Sequence, residues 1–277
     1  MHKSCVREVP SGSHIQDNGE QGVFVDGIRL DRCLHAPKFN RPDFSEQIGH
    51  SDSLPADGWQ TWTVYQHPQN TTFSTFNGYF TVPGAPTSWG NFPGSAIVYI
   101  FTGLQNDNWV PKSGAPTGAP PGFEIIQPVL QYGGGSYNGG GEYWGVASWY
   151  VTVDAGALYS TELKVDVGDN IYGVMEQTGT YTWQIDSIIP SGQNSSLTVT
   201  RNRLVNNPWA YCTLEVYEIK DCTWLPPSNT VSHFTEMLLL DSNGPVTPSW
   251  LVLTEDYLGG PSQNPCGSLF TVVAPAT

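Results

Sequence analysis

The feature that most limits the fold is a succession of short alternating segments, punctuated by Gly, Pro and Asn, that starts at Gly58 and runs almost to the C-terminus. Apolar–polar alternation with a period of two, interrupted at short intervals by turn-forming residues, is the pattern of β-strands joined by tight turns. It predicts strands over Trp62–Gln66, Phe73–Val82, Ser95–Thr102, Glu124–Tyr132, Tyr143–Val151, Thr161–Val167, Asn170–Gln177, Tyr181–Ser187, Ser196–Arg201, Cys212–Ile219, Ser232–Leu240 and Ser249–Thr254. With no helical periodicity beside them, these segments imply an all-β chain folded as a two-sheet sandwich or jelly roll. A length of 277 residues is enough to bury a sizeable core. Residues 1–57 mix charges, carry two cysteines and show no periodicity, so they are expected to form an irregular N-terminal extension packed on a β-sandwich domain spanning 58–277.

Charge excludes some partners. The chain carries 25 acidic and 11 basic residues, a net charge of −14. Phosphate and anionic-lipid recognition need clustered Lys and Arg, so neither nucleic acid nor a membrane is expected as partner. Charged residues make up only 13% of the chain and aromatic ones 12%, which fits a sandwich with a polar, uncharged surface. No apolar run approaches transmembrane length.

The five cysteines form no CxxC pair, which excludes a zinc ribbon or thioredoxin motif. Scattered cysteines, few lysines and two sequons, at Asn70 and Asn194, suggest an oxidising compartment and glycosylation. We expect disulfides Cys5–Cys33 and Cys222–Cys266, with Cys212 in a strand. Secretion would require a signal peptide that Met1–Val25 does not supply, so Met1 would then not be the natural start; a natural Met1 would point to the cytosol. The six histidines are dispersed, HExxH, GxGxxG and Gly-x-Ser-x-Gly are absent, and neither metal nor cofactor is expected.

Two loops border the predicted sheet. Gln105–Gly122 is long and Pro/Gly-rich, and offers Trp109 and Lys112 as residues of a lid. Gly133–Gly141 holds six glycines in nine residues and reads as a hairpin tip or as a flap, the tip needing no function.

Several short motifs occur in a familiar order. FNGYFTVPGAP (76–86), IVYIFTGLQ (97–105), PVLQYG (128–133), VASWYV (146–151) and ELKVDVGDNIYGVM (162–175) together resemble the fungal glutamic peptidases, the eqolisins. The resemblance covers about 100 residues and implies a concanavalin A-like sandwich of two sheets. It places Gln131 at the family's catalytic glutamine and Ser148 at its catalytic glutamate. A serine cannot relay protons as a carboxylic acid does, so the resemblance implies the fold but argues against peptidase activity.

Alternation puts Trp144, Val146, Ser148 and Tyr150 on one face of their strand, and Phe123, Ile125, Gln127, Val129 and Gln131 on one face of theirs. The resemblance implies that Gln127, Gln131, Trp144, Ser148 and Tyr150 line a concave sheet, extended by Tyr99 and Phe101, with Trp149 of opposite parity at its border. Any single aromatic here is more often core than site, whereas a buried glutamine must find partners. A neutral aromatic groove with amide donors suits a cofactor-free small-molecule enzyme, a pericyclase or cyclase with Gln131, Gln127 and Ser148 as its polar groups. The chain is similar in outline to glutamic-peptidase-like proteins without the catalytic glutamate, and the hetero-Diels–Alder enzymes of fungal tropolone–sesquiterpenoid metabolism set this leading expectation. The alternatives are an acid-active glutamic-type endopeptidase and a secreted carbohydrate-binding module. The first requires Glu124, Glu142, Glu162 or Glu176 within reach of Gln131; the second requires flat, exposed aromatics. Sandwiches of this kind also pair through edge strands, which leaves a homodimer open.

Overall fold

The computed structural model describes residues 5–31, 33, 56–87, 96–111, 119–134, 139–153, 155–202, 205–219, 222–227, 232–254 and 270–272. Two sheets make up the fold. The first runs in the order β1 (Val6–Val9), β10 (Gly156–Ser160), β9 (Gly141–Thr152), β8 (Glu124–Gly133), β7 (Ile97–Gln105), β15 (Trp209–Ile219), β5 (Ala56–Gln66) and β18 (Leu251–Thr254), with β11 (Leu163–Val165) also pairing β9. The second runs β17 (Gly244–Val246), β16 (Ser232–Asp241), β6 (Thr75–Thr81), β12 (Asn170–Gly179), β13 (Thr182–Ile188), β14 (Asn194–Arg201), β2 (Ser13–Asp17), β3 (Val23–Val25) and β4 (Ile28–Arg29), with β19 (Phe270–Val272) on β16. The all-β, two-sheet expectation holds, and each predicted strand has a counterpart.

The N-terminal residues depart from the irregular extension expected of them. Residues 6–29 supply four strands: β1 pairs in parallel with β10 at one edge of the first sheet, and β2 in parallel with β14 in the second. Asp26 and Gly27, both at positive φ (50° and 81°), turn β3 tightly into β4, as Asp-Gly does in two-residue hairpins. The Cys5–Cys33 disulfide forms as expected, with its Cα atoms 5.2 Å apart. Cys212 is a free, buried thiol on β15. The expected Cys222–Cys266 pair lies outside the described residues.

Between the sheets, Ile100, Leu104, Ile126, Leu130, Val146 and Leu158 of the first meet Phe76, Phe80, Met175, Trp183, Ile185 and Val199 of the second. Each such side chain contributes roughly 1.5–3 kcal/mol by leaving water. The first sheet also carries a second apolar cluster on its other, outer face, including Trp59, Phe101, Phe123, Val129, Trp149, Tyr159 and Tyr211. β8 is therefore buried along its whole length.

A charged joint crosses the inter-sheet core. Glu124 of β8, fully buried, pairs with Arg201 of β14 at 3.1 Å. The Tyr150 hydroxyl of β9 lies 2.7 Å from Asp17 Oδ2 of β2 and 3.0 Å from Glu124 Oε2. Burial beside these carboxylates pushes the Tyr150 phenol well above its ordinary range, so it remains a donor. A buried ion left without its partner is costly. Glu124→Gln should therefore lower unfolding stability by about 3–5 kcal/mol in urea titrations; a loss below 1 kcal/mol would show that the joint does not hold the sheets together.

Candidate functional site

The outer face of the first sheet brings together the buried polar groups Glu215 and Gln131. Register places Glu215 opposite Tyr99, Tyr99 opposite Gln131, and Gln131 opposite Gly145, so one row runs across β15, β7, β8 and β9. Directly paired residues share a face, and these four lie on the face turned away from the second sheet. At the β5 end, Trp59 pairs with Glu215 while Thr61 pairs with Leu214, so Gln60 is bulged. A bulge reverses the alternation locally, and here it turns the Trp59 indole to the outer face beside Glu215.

Glu215 is 8% exposed. Burial pushes its carboxyl up to about 7, against hydrogen bonds from the Tyr217 hydroxyl and the Trp59 indole that favour the charged form. Gln131 is 4% exposed and its Nε2 donates to Gly133 O at 3.0 Å, which fixes the amide and leaves its second N–H. Tyr99 forms the floor between them, its ring in contact with Trp149 and Tyr217.

A second carboxyl stands on the other side of Gln131. A Cβ placed on Gly145 would lie 1.6 Å from Glu162 Oε1, and a Cβ on Gly140 would lie 2.4 Å from Gln131 Nε2. The Gly140 backbone N–H donates to Glu162, so Gly140 touches both groups. Burial, followed by repulsion from Glu8, pushes the Glu162 carboxyl up to about 7. Glu162 Oε1 is buried and has no hydrogen-bond partner among the described residues. Tyr143, its ring under Lys164 Nζ at 4.1 Å, and Tyr159, stacked on Trp149 at 4.7 Å, complete this side. Of the glycine-rich loop, Gly139 and Gly140 lie close to Gln131, Tyr159 and Glu162; its residues 135–138 lie outside the described residues.

The predicted site residues divide between the two faces. Gln127, Gln131, Tyr99, Phe101, Trp109 and Trp149 belong to the outer face, Trp149 lying directly opposite Gln127. Trp109 packs edge-on against Phe123 at 5.0 Å, and its loop reaches across to Trp59, whose backbone N–H donates to Pro111 O at 3.0 Å. Trp144, Ser148 and Tyr150 do not join them. They point into the inter-sheet core, because the pairing of Pro128 with Ser148 gives Ser148 the face opposite to Gln131. There the Ser148 hydroxyl donates to Ser195 O at 2.7 Å and meets Ser187 Oγ at 3.1 Å, a buried joint between the sheets rather than a site. Lys112 lies outside the described residues. Asn70 and Asn194, the two sequon residues, are exposed.

No family model matches the chain, and no curated protein does. Among solved structures it is similar to scytalido-glutamic peptidase with a transition state analog inhibitor, at 13% identity and a TM-score of 0.43, covering 70% of this chain and 85% of that one. It is also similar to SCP-B, a member of the eqolisin family of peptidases in a complex with a tripeptide Ala-Ile-His, at 15% identity and a TM-score of 0.40, covering 70% and 84%. Superpositions this loose leave residue roles to be read from the register itself.

Of the four glutamates a peptidase could have used, Glu162 alone stands beside Gln131. Glu124 faces the inter-sheet core, and Glu142 and Glu176 are exposed. Glu215 went unseen as the facing acid. Its shared face with Thr213 and Tyr217 was readable from parity, but the adjacency of β15 to β7, about a hundred residues earlier in the chain, was not. Both carboxyls hold protons in the folded chain that the unfolded chain releases from about pH 4.5 upward. Stability should therefore fall as pH rises from about 4.5 to 7, and a Glu162→Gln/Glu215→Gln double variant should flatten that slope in thermal melts. An unchanged slope would mean that neither group titrates in this window.

Proposed function

We propose that the chain is a hydrolase of amide bonds in apolar peptides, with Glu215 as general base and Gln131 as oxyanion donor. The observation that carries this reading is the row Glu215–Tyr99–Gln131 on one buried face. Two strand spacings separate the backbones of Glu215 and Gln131 by about 9.5 Å, with Tyr99 between them on the same face. The Glu215 carboxylate takes a proton from water as its oxygen attacks the carbonyl carbon. The free N–H of Gln131 Nε2 donates to the oxygen on which negative charge develops. The aromatic floor around Phe101, Trp149 and Tyr211 favours apolar substrate residues.

The pericyclase reading started from a neutral groove with a serine where an acid was expected. The outer face instead carries a carboxyl on each side of Gln131, and acid–base chemistry uses what is there. The Cys5–Cys33 bond agrees with work in an oxidising, extracellular setting.

The test is cleavage of a heat-denatured protein between pH 3 and 8 by wild type, Glu215→Gln and Gln131→Ala. Glu215→Gln should lose a factor of about 10²–10⁴ in kcat, and Gln131→Ala about 10²–10³. Wild type that cleaves nothing at any pH, or Glu215→Gln with undiminished cleavage, would retire the hydrolase.

A further inference from the structure

Resting on that reading, we infer that Glu162 is a second catalytic carboxyl, the general acid that protonates the leaving amine, and that Gly145 is the seat that lets it reach Gln131. The geometry is specific. Glu162 precedes β11, whose Lys164 pairs with Gly145, and its side chain folds back over β9. Its Oε1 occupies the space that a side chain at residue 145 would fill, since a Cβ there would come within 1.6 Å of it. Gly145 is the direct cross-strand partner of Gln131. The absent side chain thus opens a cell on the outer face, next to the amide, and the Glu162 carboxyl fills it. Gly140 closes the cell from above: its N–H donates to Glu162, and a Cβ on it would meet Gln131 Nε2 at 2.4 Å. Within this cell Glu162 Oε1 makes no hydrogen bond to any described residue. A buried carboxyl oxygen without a partner is costly unless a ligand or a reaction uses it.

The surroundings assign the roles. Glu215 receives donors from Tyr217 and Trp59, which favour its carboxylate and suit a base. Glu162 faces the carboxylate of Glu8 on β1, the phenols of Tyr143 on β9 and Tyr159 on β10, and the ammonium of Lys164 on β11. Burial and Glu8 outweigh Lys164 there, which favours a proton-bearing carboxyl. Burial pushes both carboxyls up to about 7, so the roles are assigned by their neighbours: two side-chain donors on Glu215, and the carboxylate of Glu8 beside Glu162.

The step balances. Water adds its oxygen to the carbonyl carbon while Glu215 accepts one of its protons. The tetrahedral intermediate expels the amine, the C–N bond breaking as the nitrogen takes the Glu162 proton. Glu215 then releases its proton to solvent, Glu162 takes one up, and the products are a carboxylic acid and an amine.

Four proteins test this: wild type, Glu162→Gln, Glu162→Asp and Gly145→Ala. Their kcat and KM on a denatured-protein digest are followed from pH 4 to 9, and the Glu162 carboxyl is titrated by ¹³C NMR. Loss of a general acid should lower kcat by about 10²-fold or more in Glu162→Gln, with KM within twofold, and remove the alkaline limb of the pH profile. Gly145→Ala, which keeps Glu162 but crowds its seat, should lose activity in the same way and return the Glu162 titration toward an ordinary carboxyl range. Glu162→Asp, which shortens the reach without crowding, should fall between wild type and Glu162→Gln. Full kcat in Glu162→Gln, or a Gly145→Ala protein with wild-type activity and titration, would overturn the assignment. If wild type hydrolyses nothing, the Glu215–Gln131 hydrolase falls. The Glu162 titration in Gly145→Ala then decides the seat alone: a shift keeps it, and no shift removes it.

Discussion

Burial of β8 on both faces is the constraint from which the rest of the structure follows. Every residue from Glu124 to Gly133 is buried, yet three of them are polar. A strand with water on neither side cannot leave a charge or an amide unpaired without a cost of one to several kcal/mol each, at roughly 1–3 for a neutral group. Alternation then sorts the polar groups. Even-numbered positions face the second sheet, so Glu124 requires a cation there and finds Arg201. Odd-numbered positions face outward, so Gln127 and Gln131 must be served by the outer face. The same strand that ties the sheets together thereby plants two amides among aromatics.

The same two-sided burial explains what the sequence showed and what it hid. Strand positions were legible because alternation and turn residues are local. Tyr143, Trp149 and Val151 could be set apart from Trp144, Ser148 and Tyr150 by parity alone. Which of those two sets faces Gln131 depends on the β8–β9 register, and that register is fixed by packing on both sides rather than by any local signal. A one-residue difference in the pairing exchanges the faces, which is why Ser148 looked like a site residue and is a joint with Ser187 and Ser195. The strands of residues 6–29 were missed for a related reason. β1 and β2 pair in parallel with distant strands, which no local turn announces, and the Asp26–Gly27 turn that is local joins strands of only three and two residues.

Non-local adjacency also hid the acid. β15 follows β7 by about a hundred residues, yet the two are neighbours, and the Gln60 bulge in β5 then brings an indole to bear on the carboxyl. Neither event leaves a local mark. A glutamate flanked directly by Thr, Leu, Val and Tyr does leave one: an acid in the apolar middle of an alternating strand is costly to bury, unlike the exposed Glu218 near the strand's end. On that ground Glu215 stands out from the exposed acids of the turns, and the sequence alone could have ranked it above them.

Gly145 brings the argument to a single atom position. In a buried strand, glycine surrenders packing and loosens the backbone, so its presence requires a close approach by something else. Gly103 on the same face is filled by Ile125, an ordinary apolar exchange. At Gly145 the visitor is a carboxyl oxygen. A valine or threonine there would pack the outer face better and exclude water more completely. Its absence lets an acid stand beside Gln131 at the expense of a solvated carboxylate, and folding alone gains nothing from that exchange. On the hydrolase reading proposed above, chemistry at the amide does.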